Sequence, residues 1–138
     1  MQQFAQHNFA AAETTLEAGN LEKPGTAEWA FEAGSGLVRA ALAFKARGDD
    51  ATAQPIVRLA LVRFAQAEAL FSSATPAGEQ ANELDQVGYL YQRFMGDYAT
   101  AEKYYRRAVT LSPNTGQAAL HLRRIEAILA ALAKSNGQ

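Results

Sequence analysis

The chain has 138 residues, 49% of them hydrophobic and 20% charged, and its net charge is −1. This composition suits one compact domain with a modest core, and the absence of cysteine excludes disulfides and thiolate chemistry. The longest fully apolar run, residues 127–133, is far shorter than the roughly 20 residues of a membrane-spanning helix, so we expect no membrane partner. Abundant alanine and few β-branched runs predict an all-α fold. The first residues show no signal-peptide pattern, which leaves the localisation open and slightly favours the cytoplasm.

Charge is distributed unevenly along the chain. Residues 103–138 carry six basic side chains and one acidic side chain, a balance of +5. The remaining residues carry seven basic and thirteen acidic side chains, a balance of −6. This pattern is typical of solvated helix surfaces, and it also fits docking to an acidic partner or to a second copy in a homo-oligomer. Because the whole chain is slightly acidic, binding driven by counterion release would be weak, and we expect no nucleic-acid partner.

The first predicted element is an N-terminal helix within residues 1–22. Its stripe of Asn8, Phe9, Ala12 and Leu16 has helical spacing. Two interpretations fit this stripe, a half repeat and a free-standing helix.

A long helix is predicted next, at the start of a hairpin over residues 26–74. Thr26 could cap it, with Glu28 in the first turn where the helix dipole favours a carboxylate. The glycines of Gly34-Ser35-Gly36 cost about 1 kcal/mol each relative to alanine. We nevertheless expect one continuous helix, and not a phosphate-binding loop, because no strand precedes this segment and no Lys-Ser/Thr pair follows it.

The second helix of this hairpin follows a turn at Gly48-Asp49-Asp50. The two aspartates are typical of a helix cap, although adjacent carboxylates could also serve acid–base chemistry. Pro55 lacks an N–H group and is tolerated only in the first turn of a helix. We therefore expect Thr52 to be the N-cap, or the helix to be kinked at the proline.

Residues 84–114 contain two short amphipathic patterns joined at Gly96-Asp97. The stripes alternate small and large side chains, as helices in close contact require, and Pro113 ends the second pattern. The first stripe is Leu84, Val87, Gly88 and Tyr91, and the second is Tyr98, Ala101, Tyr105, Ala108 and Leu111.

At these residues the chain resembles a tetratricopeptide (TPR) repeat, whose pattern is W-x2-L-G-x2-Y, then A-x3-F, then P, over about 34 residues. Leu84 occupies the Trp position, Val87-Gly88 the Leu-Gly pair and Tyr91 the Tyr, while the turn at residues 92–95 is one residue too long. Ala101, Tyr105 and Pro113 match the second half. Weaker matches recur at Leu37, Ala40, Ala41, Phe44, Ala53, Val57 and Ala60.

The resemblance implies a right-handed solenoid of antiparallel helix hairpins with about six helices, forming a single domain over residues 1–138. Within it, residues 79–113 form the second hairpin, and residues 115–134 form a capping helix that turns a polar face to water. Such scaffolds bind a peptide or partner protein along a concave groove. The predicted groove residues are Val38, Leu42, Lys45, Asp85, Tyr89, Gln92, Arg93, Gln117, His121 and Arg124. The apolar members fit a simple buried stripe equally well.

No catalytic or metal signature accompanies this pattern, so we expect a non-catalytic module without cofactors. His7 and His121 have no acidic residue or second histidine three or four positions away, which disfavours a metal site and indicates surface or capping-helix histidines. Val38, Leu42, Asp85 and Tyr89 stand where some TPR proteins use Lys and Asn to hold a terminal carboxylate, so that clamp is absent. The alternatives are a structural, self-assembling segment and a regulatory domain of a larger protein.

Overall fold

The computed structural model describes residues 26–114 and 116–136, and within these ranges the protein contains five helices and no strand. The all-α prediction is therefore confirmed for the described residues. The helices are α1 (Ala27–Ala46), α2 (Asp50–Ala69), α3 (Ala77–Phe94), α4 (Tyr98–Leu111) and α5 (Ala118–Asn136). The helix predicted within residues 1–22, together with His7, lies outside the described part. None of these five helices is long and apolar enough to cross a membrane.

The chain divides into two compact units, with the boundary after Ser72. The first unit, residues 1–72, contains α1 and α2. The second unit, residues 73–138, contains α3, α4 and α5.

Helix α1 begins where the sequence predicts. Thr26 is its N-cap, and the threonine hydroxyl accepts a hydrogen bond from the Trp29 N–H at 3.0 Å. The helix runs unbroken through Gly34-Ser35-Gly36 to Ala46, which confirms the single long helix. Tertiary packing therefore outweighs the low helix propensity of the two glycines.

Of the caps predicted for α2, the aspartate is confirmed and Thr52 is wrong. Asp49 is the N-cap, and Thr52 donates both its backbone N–H (3.1 Å) and its hydroxyl (2.7 Å) to the Asp49 carboxylate. A carboxylate that accepts two donors also lies at the positive end of the helix dipole, which favours Asp49 over Thr52. Pro55 consequently lies inside α2 beyond its first turn, where the carbonyl of Ala51 lacks the usual helical donor.

Helices α1 and α2 form an antiparallel hairpin. Trp29, near the start of α1, packs with Ala67, near the end of α2, in a small apolar cluster. Farther along, Gly34 lies directly against the Phe64 ring, and a Cβ at Gly34 would approach ring carbons to 2.7 Å. Gly34 is thus a close-contact position and not a defect in the helix.

Helices α3 and α4 form a second antiparallel hairpin, which also has a glycine packed directly against an aromatic ring. Gly88 lies against the Tyr105 ring, where a Cβ would come within 2.8 Å of two ring carbons and 3.2 Å of the Ala101 carbonyl oxygen. Leu84, near the middle of α3, shares a cluster with Ala108, near the end of α4, and both are buried. The small-against-large pattern of the sequence is therefore a true interhelical contact.

Helix α5 packs antiparallel on α4. Ala118, at the start of α5, joins the cluster that contains Ala108, whereas Ile125 packs with Ala101 and Tyr105. This packing places the first half of α5 beside α3 and α4, where it contributes to the polar cluster described next.

Candidate binding site

A histidine–aspartate pair joins α5 to α3. His121 Nδ1 lies 2.7 Å from Asp85 Oδ1, and the two side chains are only 19% and 14% exposed. Since a carboxylate accepts hydrogen bonds, the partly buried pair fixes Nδ1 as the protonated nitrogen of the ring. The imidazole is therefore held in one orientation.

Two tyrosine rings contact the same imidazole. The His121 ring centroid is 5.8 Å from that of Tyr89 on α3, with an interplanar angle of 31°. It is 5.2 Å from that of Tyr105 on α4, with an angle of 41°. The histidine therefore contacts side chains of both helices of the second hairpin.

The Tyr105 hydroxyl adds a hydrogen bond to this cluster. It donates a hydrogen bond to Gln92 Oε1 at 2.7 Å. Burial raises the pKa of the Tyr105 hydroxyl well above its ordinary value, and the nearby Asp85 and Tyr89 raise it further. The hydroxyl therefore stays protonated and acts as a hydrogen-bond donor.

Two arginines lie at the exposed margin of the cluster. The Arg93 guanidinium carbon is 5.9 Å from the centroid of the Tyr89 ring, and Arg93 itself is exposed. Arg124 is exposed on α5, one helical turn from His121 on the same side. Within the described ranges, neither arginine forms an ion pair.

We refer to this surface of the second unit as the α3–α5 face. It comprises Asp85, Tyr89, Gln92, Arg93, Gln117, His121 and Arg124. All seven are among the predicted groove residues. Asp85, Tyr89, Gln92, Arg93 and His121 are linked by the contacts above. Gln117 is exposed, and its backbone carbonyl accepts a hydrogen bond from the His121 backbone N–H at 2.9 Å.

The three other predicted groove residues belong to the first unit. Val38 is buried at 7% exposure, and Leu42 is half-buried. The Lys45 ammonium lies 3.8 Å from the Asp50 carboxylate beside the α1–α2 turn. For Val38 the structure favours the buried stripe over an open groove wall.

Sequence reasoning missed the partner of His121. It considered only acidic residues within one helical turn, whereas Asp85 is 36 positions away on another helix. One signal was available, because both residues stand on the predicted groove stripes of α3 and α5. The sequence pattern assigns Tyr105 to packing alone, and nothing in the sequence indicates that its hydroxyl has a polar role.

The chemistry that this face can perform is recognition by hydrogen bonding and stacking. In the described part of the chain, no three His, Cys, Asp or Glu side chains are grouped as a metal site would need. With Nδ1 directed to Asp85, His121 Nε2 accepts a hydrogen bond when the ring is neutral and donates one when it is protonated.

No family model and no curated protein matches this chain. The contacts of the α3–α5 face are therefore the basis on which a function is inferred.

Proposed function

We propose that this protein is a non-catalytic interaction module, a TPR-like right-handed solenoid that binds a peptide or partner protein on the α3–α5 face. In this proposal residues 1–22 supply a sixth helix, and α5 caps the array. No cofactor takes part.

The observation that carries the proposal is the convergence of polar and aromatic side chains from α3 and α5. Tyr89 is half-buried and offers a flat ring, and exposed Arg93 lies beside that ring. Arg124 is exposed one helical turn after His121, which contacts the same ring. Tyrosine and arginine are the residue types that dominate binding energy at protein interfaces. Because Asp85 and His121 already hold each other, the face is preorganised, which lowers the entropy lost on binding.

A quantitative pull-down tests this proposal. The full chain and a Tyr89→Ala/Arg124→Ala variant are immobilised at equal density, and captured proteins are compared by mass spectrometry. We expect the specific partner to be lost from the variant, because hot-spot truncations at interfaces weaken binding by tenfold or more.

The matched control is Arg123→Ala. Arg123 is exposed and adjacent to Arg124 in sequence, but it lies about 100° around the helix axis. The control should retain the partner. If the double variant folds, as judged by circular dichroism, and retains every specific partner, the α3–α5 face is not the binding surface.

A further inference from the structure

From the charges left unpaired on the α3–α5 face, we infer that its partner is an acidic peptide segment, whose side-chain carboxylates contact Arg93 and Arg124. This inference rests on the proposed function. It adds the chemical class of the ligand, which the proposal itself leaves open.

The first step concerns the one carboxylate on this face. Asp85 is engaged by His121 at 2.7 Å and is only 14% exposed, so it presents little negative charge to a ligand. A basic ligand would have to displace the histidine to reach it. Displacement would leave a partly buried imidazole without its hydrogen bond, which disfavours a basic partner.

The second step concerns the cations. Arg106, in the same unit, is neutralised locally, because it lies 3.2 Å from Glu102 and 3.8 Å from Glu126. Arg93 and Arg124, by contrast, have no carboxylate partner within the described ranges. The face is therefore positive where it is exposed, and electrostatic complementarity selects an acidic ligand.

The third step concerns geometry. The Arg93 guanidinium lies over the Tyr89 ring, with its carbon 5.9 Å from the ring centroid, and a planar guanidinium can bind a carboxylate through two parallel hydrogen bonds. His121 contacts the same Tyr89 ring and lies one helical turn before Arg124, and its Nε2 can accept an N–H group from an extended backbone. An extended segment with spaced Asp or Glu side chains satisfies all three groups.

A displayed library of random 12-residue peptides is the probe for this inference. The full chain is panned against the library in parallel with Arg93→Glu/Arg124→Glu and with the control Arg123→Glu. Selected peptides are then synthesised with C-terminal amides and with free C-terminal acids, and their affinities are measured at low and high salt.

We expect the natural chain and the Arg123→Glu control to enrich peptides with two or more acidic side chains. The double charge reversal should lose these peptides and enrich basic ones. Each single Arg→Gln change should weaken an amidated peptide about fivefold, as expected for an exposed ion pair, and high salt should weaken it further. Equal binding of amide and acid forms would assign recognition to side-chain carboxylates.

Other outcomes separate the two claims. Selected peptides that are not acidic but lose binding to the Tyr89→Ala/Arg124→Ala variant would overturn the acidic ligand and leave the proposed function standing. Peptides that bind only as free acids would assign recognition to the terminal carboxylate, and this too would overturn the inference. If no selected peptide responds to any change on the α3–α5 face, the proposed function fails as well.

Discussion

The two hairpins of this chain have similar turns, but they differ in the chemistry of the contact between their helices. Each turn contains a glycine at positive φ, Gly48 at 78° and Gly96 at 62°, where side chains are strained. Each next helix is capped by an aspartate, Asp49 or Asp97, that accepts the amide of a threonine three residues later at 3.1 or 3.2 Å. Local capping chemistry therefore builds the same turn twice.

The contact that holds the helices together also occurs twice, with one chemical difference. In the first hairpin Gly34 lies against Phe64, and in the second Gly88 lies against Tyr105. Phe64 has no polar atom, whereas the Tyr105 hydroxyl reaches Gln92 at 2.7 Å. The same contact between a glycine and an aromatic ring is therefore purely structural in the first unit, whereas in the second unit it also supports a polar cluster.

The two turns have the same length, three residues between the helices, but one backbone hydrogen bond differs by one position. The Asp49 N–H donates to the carbonyl of Phe44, five residues earlier, whereas the Asp97 N–H donates to that of Tyr91, six residues earlier. This one-position difference in hydrogen bonding lies at the end of α3. It leaves the capping of α4 unchanged.

The largest expected effect comes from filling the two glycine contacts. Gly34→Val and Gly88→Val should each lower the free energy of unfolding by about 2–3 kcal/mol, because the added atoms have no space beside a buried ring. Gly88→Val should be the worse of the two, since the Ala101 carbonyl is backbone and cannot move aside. Urea denaturation measures both.

A double-variant cycle provides the control for this prediction. Gly88→Val combined with Tyr105→Leu should be less destabilising than the sum of the two single changes. Simple additivity would show that the glycine and the ring do not interact.

A smaller effect is expected when a hydroxyl group is added to the Phe64 ring or removed from the Tyr105 ring. Phe64→Tyr should destabilise the protein by about 1–2 kcal/mol, because its hydroxyl would enter an apolar site. Tyr105→Phe should cost about 1 kcal/mol by removing the bond to Gln92. In thermal unfolding, a stabilising Tyr105→Phe would contradict the role assigned to this hydroxyl.

The smallest effect is expected from acid titration of the two caps. Hydrogen bonds from Thr52 and Thr100 hold the pKa values of Asp49 and Asp97 below their ordinary value of 3.8. Because each folded pKa is the lower one, the stabilisation is present above pH 3.8 and is lost as the pH falls through the folded pKa.

Replacing either cap by asparagine tests this dependence. Asp49→Asn and Asp97→Asn should change stability little at pH 7, since asparagine also caps helices. Each should reduce the loss of stability between pH 5 and about pH 2, measured by thermal melts. An unchanged acid slope in both variants would show that the caps are not responsible for it.

What could be predicted from sequence is local in origin. The Thr26 cap, the continuous α1 and the close contact at Gly88 follow from residue type and helical spacing. The prediction of Thr52 as the cap of α2 was wrong because Asp49 and Thr52 can both cap a helix, and only geometry shows that the carboxylate accepts both donors of the threonine.

The polar cluster could be predicted only in part. Helical stripes placed Asp85 and His121 on the same expected groove, yet their hydrogen bond depends on how α5 packs against α3. That packing is set by Ala118 and Ile125 against the second hairpin, a long-range arrangement that spacing within one helix does not encode.

Backbone amide NMR of the full chain, titrated with an amidated acidic peptide from the selection, tests the central claim most directly. The account predicts shift changes concentrated on α3 and α5, at Tyr89, Arg93, His121 and Arg124, and their loss in Tyr89→Ala/Arg124→Ala. Shift changes confined to the outward side of α5, around Ala127 and Lys134, or to the first unit would contradict it.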